Sequence, residues 1–125
     1  MRENLGVARQ ALADQRRGAR AVAYEDLVRT FWRTYRPAEV ERMGNTGLEE
    51  FVRGRSEEIV EQIGEVADDL VPTLREGTDV VERAGEVKNA RFRARSMVLQ
   101  EMVYGMEKEP GTETKDMPRV SLPPL

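Results

Sequence analysis

With neither histidine nor cysteine in the chain, proton transfer would fall to Asp, Glu, Lys or Tyr, and nucleophilic attack to Ser, Thr, Lys or a carboxylate. No G-x-S-x-G elbow, Gly-rich phosphate loop or S-x-x-K spacing occurs. The one dense group of reactive side chains is acidic: Glu57, Glu58, Glu61, Glu65, Asp68 and Asp69. A carboxylate metal site of the helix-bundle kind needs such groups to project inward with histidine nearby. Here the helical period sets them opposite Ile59, Val60, Ile63, Val66, Ala67, Leu70 and Val71. The pattern therefore predicts a solvated face, with weak binding of a divalent cation or a basic partner as its other use. The chain is expected not to be an enzyme, to hold no cofactor or metal, and to take no small-molecule substrate. An acid-dependent enzyme would need a cleft holding a carboxylate of raised pKa, which a sequence does not display.

The second polar pattern is basic. Arg2, Arg9, Arg16 and Arg20 form a stripe beside an apolar one made of Leu5, Ala8, Leu12, Ala19, Val22 and Ala23. Arg91-Phe92-Arg93-Ala94-Arg95 adds guanidinium groups beside an aromatic ring, a combination that suits phosphates and stacked bases. On a helix, however, Arg93 points away from Arg91 and Arg95. Contact with nucleic acid through Arg9, Arg16 and Arg20 is therefore the alternative function. It competes with pairing of the basic stripe to the acidic helix, within one molecule or between copies. Residues 1–36 sum to +4, residues 37–90 to −8 and residues 91–125 to +1, for a net charge of −3. That balance disfavours wholesale coating of nucleic acid.

Helices must position both stripes, because no strand-like alternation persists and no internal repeat is visible. The expected fold is all-α: a helical bundle or extended helical hairpin with a long C-terminal helix and an extended Pro-containing tail. A helical domain over residues 1–109 would hold helices at about 3–23, 24–36, 38–43, 47–54, 57–71 and 79–105, followed by the tail, 110–125. Tyr24, Leu27, Val28, Phe31 and Tyr35 form a stripe on nearly the opposite side from the first one. Either the chain bends near residues 22–25 or one continuous helix is gripped from two sides. Pro37 suits a first helical turn and Gly44 a stop. Thr46 with Glu49 matches a capping box, and Ser56 reads as an N-cap. Pro72 closes the acidic helix, and Gly77-Thr78-Asp79 opens the last one.

Leu, Ile, Val and Phe number 28 of 125 residues, about 22%, close to the level of roughly 20% below which disorder sets in. A core this thin predicts cover from a neighbour. Trp32, at the edge of its stripe, is the candidate hot spot. Val80, Val81, Ala84, Val87, Val98, Leu99, Met102 and Met106 share a broad side of the last helix, into which Lys88, Arg91 and Arg95 project. Either their stems snorkel to water, or acids of a neighbouring helix pair with them, or that side meets another molecule. The tail is either disordered or docks Val120, Leu122 and Leu125 in a neighbour's groove.

These features together predict a non-enzymatic helical structural or adaptor subunit of a larger protein assembly, through homo-oligomer or partner contacts of its helix faces and tail. The general makeup is similar to that of small connector subunits of viral particles. No apolar run is long enough to span a membrane, and the start, Met1 to Leu5, lacks a secretory pattern. The absence of cysteine fits a reducing compartment. The expected location is the cytoplasm or a particle assembled there.

Overall fold

The computed structural model describes residues 2–71 and 79–125, with side chains for these except residues 2–10, 13, 14 and 17. Among the described residues the fold is all-α, and the order is α1 (Arg2–Tyr35), α2 (Pro37–Leu70), α3 (Val80–Leu99) and a π-helical turn, Gln100–Tyr104. No described helix is long and apolar enough to cross a membrane. α2 packs against both α1 and α3, and a single cluster of buried residues runs through the three helices and the π turn.

α1 is one uninterrupted helix, so the stretches expected at 3–23 and 24–36 are a single rod. It presents Tyr24, Leu27, Val28, Phe31, Trp32 and Tyr35 to the core. Ahead of Ala21 no described side chain is buried, and Leu12, Arg16 and Arg20 are exposed. Arg36, with φ −135°, leaves the helical region ahead of Pro37, as the steric clash with a following proline ring favours.

α2 is two helical stretches that meet at a kink at Gly44, so the stop expected after 38–43 is present, whereas the expected helices 47–54 and 57–71 are continuous. Gly44, at φ +71° and ψ 174°, breaks the helical geometry once, a conformation that glycine alone adopts without strain. Beyond it the helix runs straight through both expected caps. Thr46 is exposed within the helix, and Glu49, expected to cap it, instead accepts two bonds from the Arg29 guanidinium at 2.9 and 2.7 Å. That forked contact holds the Glu49 carboxyl below its ordinary value and raises Arg29, the hydrogen bond being the main cause in each case. Ser56 is no N-cap: it is fully buried, and its hydroxyl has no hydrogen-bond partner. Tertiary packing outweighs local capping at both positions.

Asp79 caps α3 through Val81 N–H at 3.3 Å. The helix buries Ala90, Ala94, Val98 and Leu99, and its expected extension to residue 105 changes pitch at Gln100 into the π turn. Gly105 ends that turn by donating to Gln100 O at 2.7 Å. A Cβ on residue 105 would fall 2.5 Å from that same oxygen, so glycine is required there for close approach. The expected turn around Gly77 and Thr78, and Pro72, lie outside the described residues.

The tail has no helix or strand, and it folds back onto its own molecule. Glu109 N–H and the Thr112 hydroxyl both donate to Tyr35 O, at 2.9 and 3.0 Å. The Tyr35 hydroxyl donates to Lys115 O at 2.8 Å and accepts from Met117 N–H at 3.2 Å. The Glu109 carboxylate takes Ala38 N–H and Glu39 N–H at 2.9 and 3.0 Å. These are orphan donors of the first turn of α2, so a residue some 70 positions away supplies the N-terminal cap that Arg36 does not. Met117 and Val120 pack against the core.

Candidate interaction site

Three of the expected interface residues are accounted for within the chain. Trp32 is 2% exposed. Its ring lies 5.4 Å from Phe31 and 4.9 Å from Phe51, with the guanidinium groups of Arg36 and Arg55 each 5.8 Å from it. The edge position on the helical projection is a core position, because α1 is approached both by α2 and by the π turn, and the buried arc is correspondingly wide. Trp32 is thus core and not a partner hot spot. Val120 packs, partly buried, on the core of its own molecule. Arg95 is half-buried, donates to Pro123 O and stacks 5.5 Å from the Phe92 ring; it clasps the tail.

The other candidates are at the surface. Lys88 and Arg91 are exposed, and no ion pair to either is found among the described residues. The apolar side they were expected to interrupt is itself open in its first half: Val80 and Val81 are 76% and 75% exposed, and burial on α3 begins only at Ala90. Leu122 and Leu125 are partly exposed. Arg16 and Arg20 are exposed, and the Arg9 side chain lies outside the described residues.

The same transition occurs on α1, where burial among the described side chains begins at Ala21. Leu12 and Val22, of the outer apolar stripe, are 54% and 61% exposed. The continuous helix therefore has one apolar face on the core and another, rotated away from it and displaced toward the N-terminus, facing solvent. Exposed Arg16 runs along one flank of that outer face.

Two clefts open on the molecule. The first, about 390 Å³, lies where α1, α2, α3 and the tail converge; Arg20, Asp68 and Arg91 stand around an apolar floor of Tyr24, Val60 and Ile63, with Pro123 to Leu125 beside it. It unites two of the sequence-derived residue sets, Arg20 from the basic stripe with Arg91 and Leu125 from the interface group. The second, about 320 Å³, runs between α2 and α3 on the other side of α2. Its walls carry Glu58, Glu61, Gln62 and Glu101, and Val66, Val98 and Met102 supply its apolar surface. Sequence reasoning saw the acids of α2 but not this groove. Glu101, Val98 and Met102 join them only through the pairing of α2 with α3, for which the sequence holds no local signal.

Chemically, both clefts offer charge and apolar area. Among the described residues no group of three or more carboxylates converges to hold a metal ion. Compared with protein-family models, curated proteins and solved structures, the chain matches none of them.

Proposed function

We propose that the chain is a non-enzymatic structural or adaptor subunit of a larger protein assembly, of the kind a viral-particle connector represents, working through its helix faces in the cytoplasm or within a particle assembled there. The observation that carries this reading is the second apolar face of α1. Leu12 and Val22 stand in solvent on the helix that sends Tyr24 to Tyr35 into the core on another side, and Val80 and Val81 are open on α3. The grouping of these exposed apolar side chains along two helices supports cover by another molecule. Leu122 and Leu125, beside the first cleft, add to it.

Light scattering from micromolar to near-millimolar protein tests the reading. The expected result is a mass that rises above the 14.2 kDa of one chain, with Leu12→Ser/Val22→Ser shifting the rise to higher concentration. A mass fixed at one chain throughout would count against assembly through these faces.

A second reading, contact with nucleic acid, is favoured by one observation: Arg20 and Arg91, distant in sequence, border one cleft. It requires binding of duplex DNA or RNA that weakens steeply with salt and depends on Arg16 and Arg20. Asp68, on the same cleft, opposes it.

A further inference from the structure

We infer that the occupant of the outer face of α1 is the acidic α2–α3 groove of a second copy of this chain, an inference that rests on the assembly reading and names its partner surface. The two surfaces are complementary in three respects. Their chemistry matches: Leu12 and Val22 on one, Val66, Val98 and Met102 on the other. Their charges oppose: Arg16 flanks the stripe and Arg20, one turn on, stands at its edge toward the first cleft, whereas Glu58, Glu61 and Glu101 line the groove.

Their lengths agree as well. From Leu12 to Val22 the stripe extends about 15 Å, and from Glu58 to Val66 the α2 wall of the groove extends about 12 Å, at the rise of an α-helix. A basic amphipathic helix laid in an acidic, apolar-floored groove is a recurrent mode of helix recognition.

The alternative of closing the pair within one molecule is excluded by the rod. Arg20 stands at the first cleft, beside Tyr24, Ile63 and Asp68, while the acidic groove opens on the side of α2 that faces α3. An unbroken α1 from Arg2 to Tyr35 has no hinge with which to carry Leu12 around α2. The contact is consequently between copies. It joins two different patches, so it builds a ring, a filament or a reciprocal pair according to the rotation between subunits. Opposed charges also set the register and the rate of encounter, and added salt weakens the contact.

Charge reversal in two full-length variants tests this. One carries Arg16→Glu/Arg20→Glu and so has an acidic stripe above an acidic groove. The other carries Glu61→Lys/Glu101→Lys and has a basic stripe above a basic groove. All four side chains are exposed, and circular dichroism verifies that both variants keep the helical fold. Each variant alone is expected to self-associate at least about tenfold more weakly than the parent, as removal of close interfacial charge pairs does. The equimolar mixture is expected to regain association, because every stripe then meets a groove of opposite charge on the other variant.

If the parent assembles but the mixture behaves as the sum of its two components, the proposed pairing is overturned and the assembly reading stands on some other contact. If the parent remains a single chain at every concentration, the pairing and the self-assembly reading fall together. Association that appears only after duplex DNA is added, and is lost in Arg16→Glu/Arg20→Glu, would place nucleic acid on the stripe and overturn the proposal.

Discussion

The two ends of the bundle treat their backbone and apolar groups in opposite ways. At the Tyr35 end, the carbonyl and hydroxyl of one tyrosine, the first N–H groups of α2 and a length of non-helical tail satisfy one another. At the other end, α1 before Ala21 and α3 before Ala90 leave Leu12, Val80 and Val81 open to solvent. Buried polar groups with partners resist change, whereas exposed apolar area retains free energy that a partner can release. The closed end is where the chain fixes its shape, and the open end is where it has capacity left for contact.

The largest contrast between the ends should come from truncating one large side chain at each. Trp32→Ala removes the biggest side chain of the closed core and should cost about 3–5 kcal/mol of unfolding free energy, read from denaturant titration. Leu12→Ser, at the open end, should change unfolding free energy by no more than about 0.5 kcal/mol while weakening self-association. A large loss of stability from Leu12→Ser at high dilution would erase the distinction.

Glu109→Ala is a milder probe of the closed end. It removes the carboxylate that caps α2 and should cost about 1 kcal/mol, with amide exchange at Ala38 and Glu39 accelerating before that of α1. Unchanged exchange there would mean that the tail does not cap the helix.

The smallest effect is that of acid on Arg29 and Glu49. The folded state depresses the Glu49 carboxyl below its ordinary 4.5, so the contribution of the pair is present above that value and is lost as pH falls through the lower folded value. Because Glu49 is half exposed, the loss should be slight. Glu49→Gln should flatten this part of the stability profile between pH 5 and about pH 3, and an unaltered profile would show that the pair does not titrate in this way.

What the sequence conveyed follows from the strength of each signal. The helical class and the core stripes of Tyr24 to Tyr35 and Ile59 to Ala67 were legible because large apolar residues recur with the helical period. Ala90 and Ala94 were not: alanine is too small and too common in helices to mark a buried face, yet close helix packing selects it. The expected breaks at Thr46 and Ser56 rested on side chains able to cap, and capping ability does not oblige a helix to begin. The destination of the tail was illegible because most of its ties use main-chain atoms, which every residue carries alike.

The candidate site was legible in part for the same reason. Two opposed stripes near the N-terminus were evident, and both alternatives, a bend or a continuous helix, fitted the pattern. Arg16 and Arg20 are at the surface, as a solvated stripe requires, whereas Trp32 and Val120 turned inward because neighbours beyond the local window cover them. Burial is a property of the fold as a whole, and one helical projection samples only its own element.

A rod without a joint has one more consequence. α1 holds 34 residues, so it measures about 50 Å, and whatever rests on its outer face is held at a set height and azimuth from Tyr35. One residue inserted near Val22 would swing that face by about 100° and lift it by about 1.5 Å, leaving both halves chemically intact but out of alignment. The helix acts as a gauge: the spacing and pitch of anything built from these subunits would be written in the count of residues between its two greasy faces.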